Sequence, residues 1–511
     1  MEGGNAMDAA IASTICIGII NSFSSGIGGG GFMLIKGPGT NGVLDMIDFR
    51  ETAPRNLSDS GLSGMGGANE KGLKVGVPGE ILGLYEAHKK YGKLPWRELF
   101  RENIMIARGF PASNLLVKKI NKLKSYITSD PGLRDIYTRN GVLLKEGDIV
   151  ARENYAKTLE IIMRHPESFY TGSLADLIVK AVRKKGGLID KRDLEEYKVI
   201  HRDVIEGRYH DYKVYTTNLP TSGPLVLKAL NIFEKYDLKK LKADSLRNGN
   251  FNHMHLLIEV FKFAMARRGE LGDPAFLPGW EEIVKEIISK KSAEEAYRKI
   301  NLGKVLDIKE YGMKTKGTED HGTTHINVID KDNMVVLLTS SINLEFGAKF
   351  MDPETGVVFN DTIDDFHISH ARDVHSKHPN NVEGGKRSFS SMSPILLLKE
   401  DEILAIGAAG GIRIPTSVIS TIFHLGTGEN LREAIIETRI HNQLSPNITF
   451  VEHNIPKALE RYLISIGHRI EKSLQNTIFT SVQGIFLKSV GGNRIIQAVS
   501  DPRKEGEAFG Y

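Results

Sequence analysis

Apolar side chains recur at intervals of three and four along much of the first part of the chain. Val77–Tyr91, Trp96–Arg108, Ser113–Tyr126, Ala156–Arg164 and Leu174–Lys185 carry that spacing, which predicts helices with one buried face; Pro-Gly, Gly-Gly and Asn-Gly steps separate them. Phe251–Arg268 and Ser292–Ile300 extend the series, with the turn Gly272-Asp273-Pro274 between them. Ahead of all these, Ala9–Ile20 is almost wholly apolar and reads as a buried helix. Asn5 as N-cap and Asp8 at the third helical position mark its start. From Thr323 the texture changes. β-branched runs predict strands at His325–Ile329, Met334–Ser341, Ile395–Lys399, Ile403–Gly407, Thr477–Lys488 and Asn493–Ser500. Only Pro415–Phe423, Leu431–Thr438 and Pro456–Ser465 keep helical spacing there. A helix-rich first part followed by a strand-rich second part predicts layered α/β, with largely antiparallel sheets covered by helices. Between the two parts, Lys304–His321 is polar and rich in Lys and Gly, and reads as an exposed loop that stops just before Thr323.

Composition narrows the class without naming it. The 511 residues suffice for two to four average domains or one large one, and 41% hydrophobic with 25% charged residues is ordinary for a globular protein. A formal net charge of +4 gives no reason to expect nucleic acid or an anionic membrane as partner. The one cysteine, Cys16, permits no internal disulfide and reads as a small buried hydrophobe. Ala9–Ile20 is too short to cross a bilayer and has no basic segment before it, so neither a signal peptide nor an anchor is visible.

Two motifs are set aside. Gly26-Ile27-Gly28-Gly29-Gly30-Gly31 matches G-x-G-x-x-G in letters, but here a helix precedes and the strand Phe32–Ile35 follows, the reverse of a dinucleotide site. Its glycines suit close backbone packing beneath a site. His253, His255 and Glu259 read as ordinary helix residues, because a His-x-His pair points its rings to different faces and no H-E-x-x-H is present.

The chemistry gathers at Gly322-Thr323. Two β-rich runs flank Lys331-Asp332-Asn333, a hairpin signal. A three-residue loop centred on Asp332 pairs Val328 with Val336 and Ile326 with Leu338, and sets Thr323 opposite Ser341; a one-residue slip opposes Thr323 with Ser340 or Ile342 instead. A threonine hydroxyl needs a base to act as a nucleophile. Cutting the Gly322–Thr323 bond supplies one, since the freed α-amine has a pKa of roughly 7.7–8.0 against roughly 10.4 for lysine. The β-methyl restricts χ1, and Gly322 tolerates the strained backbone that intramolecular attack requires.

Taken together, a set of segments resembles the gamma-glutamyltransferase family over nearly the whole chain. They are Gly3-Gly4-Asn5-Ala6, Asp8-Ala9-Ala10, Ser24-Ser25 with the glycine run to Phe32, Asp48-Phe49-Arg50-Glu51-Thr52-Ala53-Pro54 and Val77-Pro78-Gly79. Further along come Leu271-Gly272-Asp273-Pro274, Gly322-Thr323-Thr324-His325, Asp364-Asp365-Phe366, Ser390-Ser391-Met392-Ser393-Pro394, Gly410-Gly411 and the tail from Asp501-Pro502-Arg503 to Gly510-Tyr511.

The resemblance implies an N-terminal-nucleophile hydrolase fold, an αββα sandwich matured by autocleavage into residues 1–322 and 323–511, the two forming one intertwined domain and a heterodimer. It implies Thr323 as nucleophile, Ser341 beside it and the N–H groups of Gly410 and Gly411 as oxyanion hole. Arg50, Ser390 and Ser391 would bind the substrate α-carboxylate, and Asp365 with Asn343 the α-ammonium. Implied substrates are glutathione and other γ-glutamyl compounds, with water, amino acids or dipeptides as acceptors, no cofactor, no metal and no nucleic acid. The implied location is extracytoplasmic: membrane-anchored, secreted or vacuolar.

There are departures. The family usually has Thr where Ser341 stands and Glu or Gln where Thr362 stands, one more contact to the substrate amine. Related chains also carry a further strand before the first helix, and its absence implies an open sheet edge or a fragment. Two other readings stand beside the first: an amidase or acylase of other specificity on the same fold, and a truncated or uncleaved homologue without activity.

Overall fold

A computed structural model of the chain describes residues 3–39, 42–58, 70–318, 322–368, 378–474 and 480–510. The strands of its two main sheets are, in chain order, β1 (Gly30–Lys36), β2 (Leu44–Asp48), β3 (Ile200–Arg202), β4 (Ile205–Tyr209), β5 (Tyr212–Thr216), β6 (Thr324–Ile329), β7 (Val335–Ser341), β8 (Ile395–Lys399), β9 (Glu402–Ala409), β10 (Ser481–Val490) and β11 (Asn493–Ser500). Helices used below are α1 (Ala6–Ile20), α2 (Glu80–Tyr91), α3 (Gly223–Phe233), α4 (Leu238–Arg247), α5 (Asn252–Met265), α6 (Ile414–Gly426) and α7 (Leu431–Ile436). The chain divides into two compact units, Met1–Arg202 with Asp320–Ser388, and Asp203–Glu319 with Phe389–Tyr511. Each unit thus draws residues from both sides of the Gly322–Thr323 bond.

The first unit is built on an antiparallel sheet ordered β6-β7-β1-β2-β3. Every residue of β1 and β7 is buried, which explains their unbroken apolar runs, whereas β6 lies at the edge and is only half-buried beyond His325. The glycine run enters here as close packing. A Cβ on Gly28, Gly29, Gly30 or Gly31 would fall 2.1, 2.1, 2.4 or 2.0 Å from the backbone oxygens of Val358, Ser341, Phe49 and Thr339, so no side chain fits at any of the four.

Helix α1 packs on β6 and β7. Its start is the expected reciprocal cap: Asp8 N donates to Asn5 Oδ1 at 3.1 Å and Asn5 N to Asp8 Oδ2 at 3.0 Å. Helix α2 begins at Glu80 rather than Val77, because Val77 N and Gly79 N are spent on the carbonyls of Thr52 and Gly29.

The second unit carries an antiparallel sheet ordered β11-β10-β9-β8-β5-β4. Its register aligns Val214, Leu397, Leu404, Phe486 and Gln497 in one cross-strand row. Helices α3, α5 and α6 are packed together in this unit's core. All of α3 is buried, so its sequence shows no polar face and no helical period.

Other boundaries shift for local reasons. Trp96–Arg108 is a 3₁₀ turn, Trp96–Leu99, followed by a helix Arg101–Arg108; the helix predicted over Ser113–Tyr126 breaks at Leu123. Phe251–Arg268 ends as α-helix at Met265. Lys304–His321 is not simply an exposed loop: it contains a 3₁₀ turn, Ile308–Tyr311, whose buried Tyr311 hydroxyl lies 2.9 and 2.8 Å from the two Glu259 carboxylate oxygens. Its residues 319–321, and residues 477–479 of the strand predicted over Thr477–Lys488, lie outside the described residues. Cys16 is half-buried rather than fully buried, and burial raises its thiol pKa. Among the described residues no helix is long and apolar enough to cross a membrane.

Candidate active site

The β6–β7 hairpin is held at its turn by Asp330. Its Oδ1 accepts from Asp332 N at 2.9 Å and Met334 N at 3.0 Å, while its N–H donates to Met334 O at 3.1 Å. Asn333 takes the left-handed conformation the loop needs, with φ of 59°. Asp330 Oδ2 also accepts from Ala6 N at 3.0 Å and so ties the turn to the start of α1. The resulting register pairs Val328 with Val336, Ile326 with Leu338 and Thr324 with Ser340, as the sequence predicts. Continued by one residue, it sets Thr323 opposite Ser341; on its other side Ser341 pairs with Gly30.

Thr323, Ser341 and Asn343 are all buried. Ser341 Oγ accepts the Asn343 N–H at 2.8 Å, which fixes the first residues after β7. Asn343 has φ of 68°, and its side-chain amide donates to Asp361 O at 3.1 Å. Gly322 closes the arrangement. Its φ is +64°, and a Cβ there would lie 1.7 Å from Asn343 O, so the residue before Thr323 has to be glycine. Behind the hairpin, Ser340 Oγ donates to the fully buried Glu80, whose pKa burial pushes up to about 8.

A second cluster in the same unit centres on Arg50, which follows β2 and is 1% exposed. Its Nη2 is paired with Asp365 Oδ2 and donates to Ser388 Oγ at 2.9 Å; its Nη1 lies 3.4 Å from Glu51 Oε2. One guanidinium therefore faces two buried carboxylates. Desolvation raises the Glu51 pKa, with Arg50 opposing it. Thr362 Oγ1 donates to Glu51 Oε1 at 2.9 Å. Asp361, next to Thr362 in the chain, is bonded to the hairpin end: its N–H donates to Ile342 O at 3.3 Å, its Oδ1 accepts from Leu344 N at 2.9 Å, and burial pushes its pKa up to about 7. Sequence reasoning assigned no role to Glu51, Glu80 or Ser388. Only Glu51 carried a signal, as the neighbour of Arg50.

The remaining candidates belong to the second unit. Ser390 and Ser391 precede β8, and Gly410 and Gly411 follow β9; the pairing of Ile395 with Ile406 puts all four at one end of the sheet. Ser390 N donates to Pro220 O at 2.8 Å, and its Oγ accepts from Met392 N at 3.2 Å. Gly410 and Gly411 have φ of 141° and 61°, and their turn leads straight into α6, so they sit at the positive end of a helix.

The histidines set aside earlier are not ordinary helix positions. His255 Nδ1 lies 2.8 Å from His468 Nε2, and His255, Glu259 and His468 bring one ligand atom each within 4.8 Å of one another. Glu259 already faces the Lys262 ammonium at 3.0 Å and the Tyr311 hydroxyl, which makes this a buried polar network with its own cation. His253 is buried away from that group.

Comparison with known proteins accords with this geometry. The family model for gamma-glutamyltranspeptidase matches residues 1–511. Glutathione hydrolase proenzyme 2 of Schizosaccharomyces pombe is 37% identical, over 100% of this chain and 84% of its own length. The solved cephalosporin acylase of Bacillus halodurans superposes with a TM-score of 0.83 at 25% identity, covering 99% of this chain and 91% of its own. A solved gamma-glutamyltranspeptidase chain of Helicobacter pylori covers 61% of this chain and 90% of its own, with a TM-score of 0.54 and 29% identity. The fold is that of the N-terminal-nucleophile hydrolases. On a match that spans its full length, the chain belongs to the gamma-glutamyltranspeptidase family.

Proposed function

We propose that the chain is the precursor of a glutathione hydrolase and γ-glutamyl transpeptidase that cleaves itself between Gly322 and Thr323. The observation that carries this reading is the backbone at that bond: a glycine with φ of +64°, pressed against Asn343 O, directly before a buried threonine on a hairpin edge. In maturation Thr323 Oγ adds to the Gly322 carbonyl carbon, and the amide C–N bond breaks as its nitrogen gains a proton. Water then hydrolyses the ester, leaving Gly322 as a carboxylate and Thr323 with its own amine. Residues 1–322 and 323–511 stay together as one enzyme.

In turnover that amine, with a pKa of roughly 7.7–8.0, takes the hydroxyl proton while Oγ attacks the substrate γ-carbonyl. The N–H groups of Gly410 and Gly411 hold the oxyanion, one such donor being worth about 3–4 kcal/mol. The leaving amine departs with the proton, and the γ-glutamyl ester on Thr323 passes to water or to the amine of an amino acid or dipeptide. Ser341 fixes the Thr323 edge of the hairpin.

The amino-acid head of the substrate exchanges with an existing ion pair. Its α-carboxylate takes the place of Asp365 on Arg50, joined by Ser390 and Ser391, and its α-ammonium takes Asp365, beside Asn343. The exchange leaves no buried charge unpaired. Thr362 is too short to serve as the family's Glu or Gln; it positions Glu51, which supplies the extra carboxylate instead. An acylase acting on substrates without an α-carboxylate and α-ammonium would leave Arg50 and Asp365 no task. We also propose, by analogy with the family, that the enzyme works outside the cytosol, which cell fractionation checks. The main test is N-terminal sequencing of purified protein alongside glutamate release from glutathione. Active protein that remains one unbroken 511-residue chain overturns the reading.

A further inference from the structure

The second unit holds a cavity of about 750 Å³ that takes no part in the proposed chemistry. Its floor is the cross-strand row Leu397, Leu404, Phe486 and Gln497. Its walls come from the last turn of α6, at Ile422 and Leu425, and from Leu238 at the start of α4. The volume lies in the range of about 300–1,000 Å³ usual for sites that enclose small organic ligands. A cavity alone specifies no ligand, but the polar groups around this one do.

Tyr209, which lines it, is 5% exposed, and its hydroxyl has no hydrogen-bond partner among the described residues. A buried hydroxyl left unmatched is costly, so the site asks for a polar atom at that point. The hydroxyl lies 3.3 Å from where a Cβ on Gly426 would be, and Lys239 Cε lies 3.8 Å from the corresponding position on Gly428. A tyrosine hydroxyl and a lysine side chain thus flank the same short turn, Gly426-Thr427-Gly428. Lys239 is exposed and has no carboxylate partner among the described residues. Of the acids that line the cavity, Glu234 is paired with Lys290, Glu429 is paired through Oε1 with Lys242 and His424, and Asp237 Oδ1 accepts from Lys240 N at 3.0 Å to cap α4, so among the described residues none of the three is paired with Lys239.

We propose that this cavity is a binding site for an amphipathic carboxylate. The carboxylate is held by Tyr209 Oη and Lys239 Nζ, and an alkyl or aromatic body lies over Leu404 and Phe486. The site belongs to the unit that does not contain Thr323, and it stands whether or not the γ-glutamyl reading does.

Dodecanoate titrated calorimetrically into the whole cleaved protein tests it. The wild type should bind dodecanoate with one-to-one stoichiometry, and at least about tenfold more tightly than the neutral 1-dodecanol. Gln497→Trp, which fills the floor from a half-exposed strand position, should abolish binding. Tyr209→Phe and Lys239→Glu should each weaken it at least about fivefold, with γ-glutamyl turnover in the absence of dodecanoate unchanged in all three variants. Equal binding to wild type and Gln497→Trp, equal binding of acid and alcohol, or competitive displacement of dodecanoate by a γ-glutamyl substrate would each overturn the assignment. So would absence of binding to the wild type.

Discussion

Gly322→Ala tests the cleavage geometry most directly. The added Cβ would stand 1.7 Å from Asn343 O, where side-chain carbons do not approach backbone closer than 3.0 Å, so one partner must move by about 1.3 Å. The neighbour cannot yield easily. Asn343 is buried, its N–H is held by Ser341 Oγ at 2.8 Å and its side-chain amide by Asp361 O at 3.1 Å. The displacement therefore falls on the Gly322 carbonyl, the group that Thr323 must attack. Alanine adds the cost of a left-handed φ, about 1–2 kcal/mol. Misplacing a reacting atom by about 1 Å costs about 100-fold in rate, near 2.7 kcal/mol. Freshly purified Gly322→Ala precursor should accordingly cleave at least about 100-fold more slowly than wild type. The assay is a time course on denaturing gels, with circular dichroism to confirm that the precursor is folded. Cleavage by a folded variant within about threefold of the wild-type rate would refute the reasoning.

Thr323→Ala should leave the folded precursor intact and abolish both cleavage and turnover, read on the same gel and by glutamate release. Arg50→Ala should spare cleavage but raise KM for a γ-glutamyl anilide by at least about 100-fold, because the substrate α-carboxylate loses its buried cation; an unchanged KM rejects the carboxylate assignment. Thr362→Val deletes the 2.9 Å bond to Glu51 and should cost about 1–2 kcal/mol in kcat/KM, with cleavage unaffected. Glu80 has a folded pKa of about 8 against an ordinary 4.5, so the fold favours its protonated form. Its contribution to stability is complete below pH 4.5 and is lost as pH rises towards 8. Thermal melts should therefore show the wild type losing stability relative to Glu80→Gln between those pH values, and parallel curves would contradict this.

The hairpin was legible because two local signals agree. Two β-rich runs flank a short turn segment, and Asp330 with Asn333 supplies the turn chemistry, so the register through Thr324 and Ser340 could be counted from the sequence. The cap on α1 was legible for the same reason: all its partners lie within three residues. Helix α3 was not, because burial on every side erases the polar face that periodicity detects. Tyr311 sat in a stretch that reads as a loop, since its partner Glu259 lies 52 residues away and nothing nearby announces it. The Arg50–Asp365 pair spans 315 residues, and no spacing rule reaches that far; the expectation that both serve one substrate came from family resemblance alone. Glu51 and Glu80 were passed over for a related reason. A carboxyl group becomes distinctive only once burial shifts its pKa, and burial of a charged residue leaves no trace in its own sequence neighbourhood.

On the proposed reading, the ion pair between Arg50 and Asp365 is itself the source of specificity. Both side chains are 2% exposed, so neither charge can be left alone without a large penalty, and without substrate each is the other's partner. A zwitterionic α-amino acid head replaces that pair with two new ones and conserves the number of matched charges. A ligand with only the carboxylate would take Arg50 and strand Asp365; one with only the amine would take Asp365 and strand Arg50. Breaking a buried pair by removing one partner costs about 3–5 kcal/mol, a discrimination of at least about 100-fold. Glu51 tilts the balance further. With two carboxylates facing one guanidinium, the empty cluster carries excess negative charge, which burial relieves by raising the Glu51 pKa. The incoming ammonium lowers it again. A γ-glutamyl compound is therefore favoured over its glutaryl analogue, which lacks the α-amine, by more than the loss of one ion pair alone implies, and the excess should shrink as pH falls and Glu51 is protonated in both states.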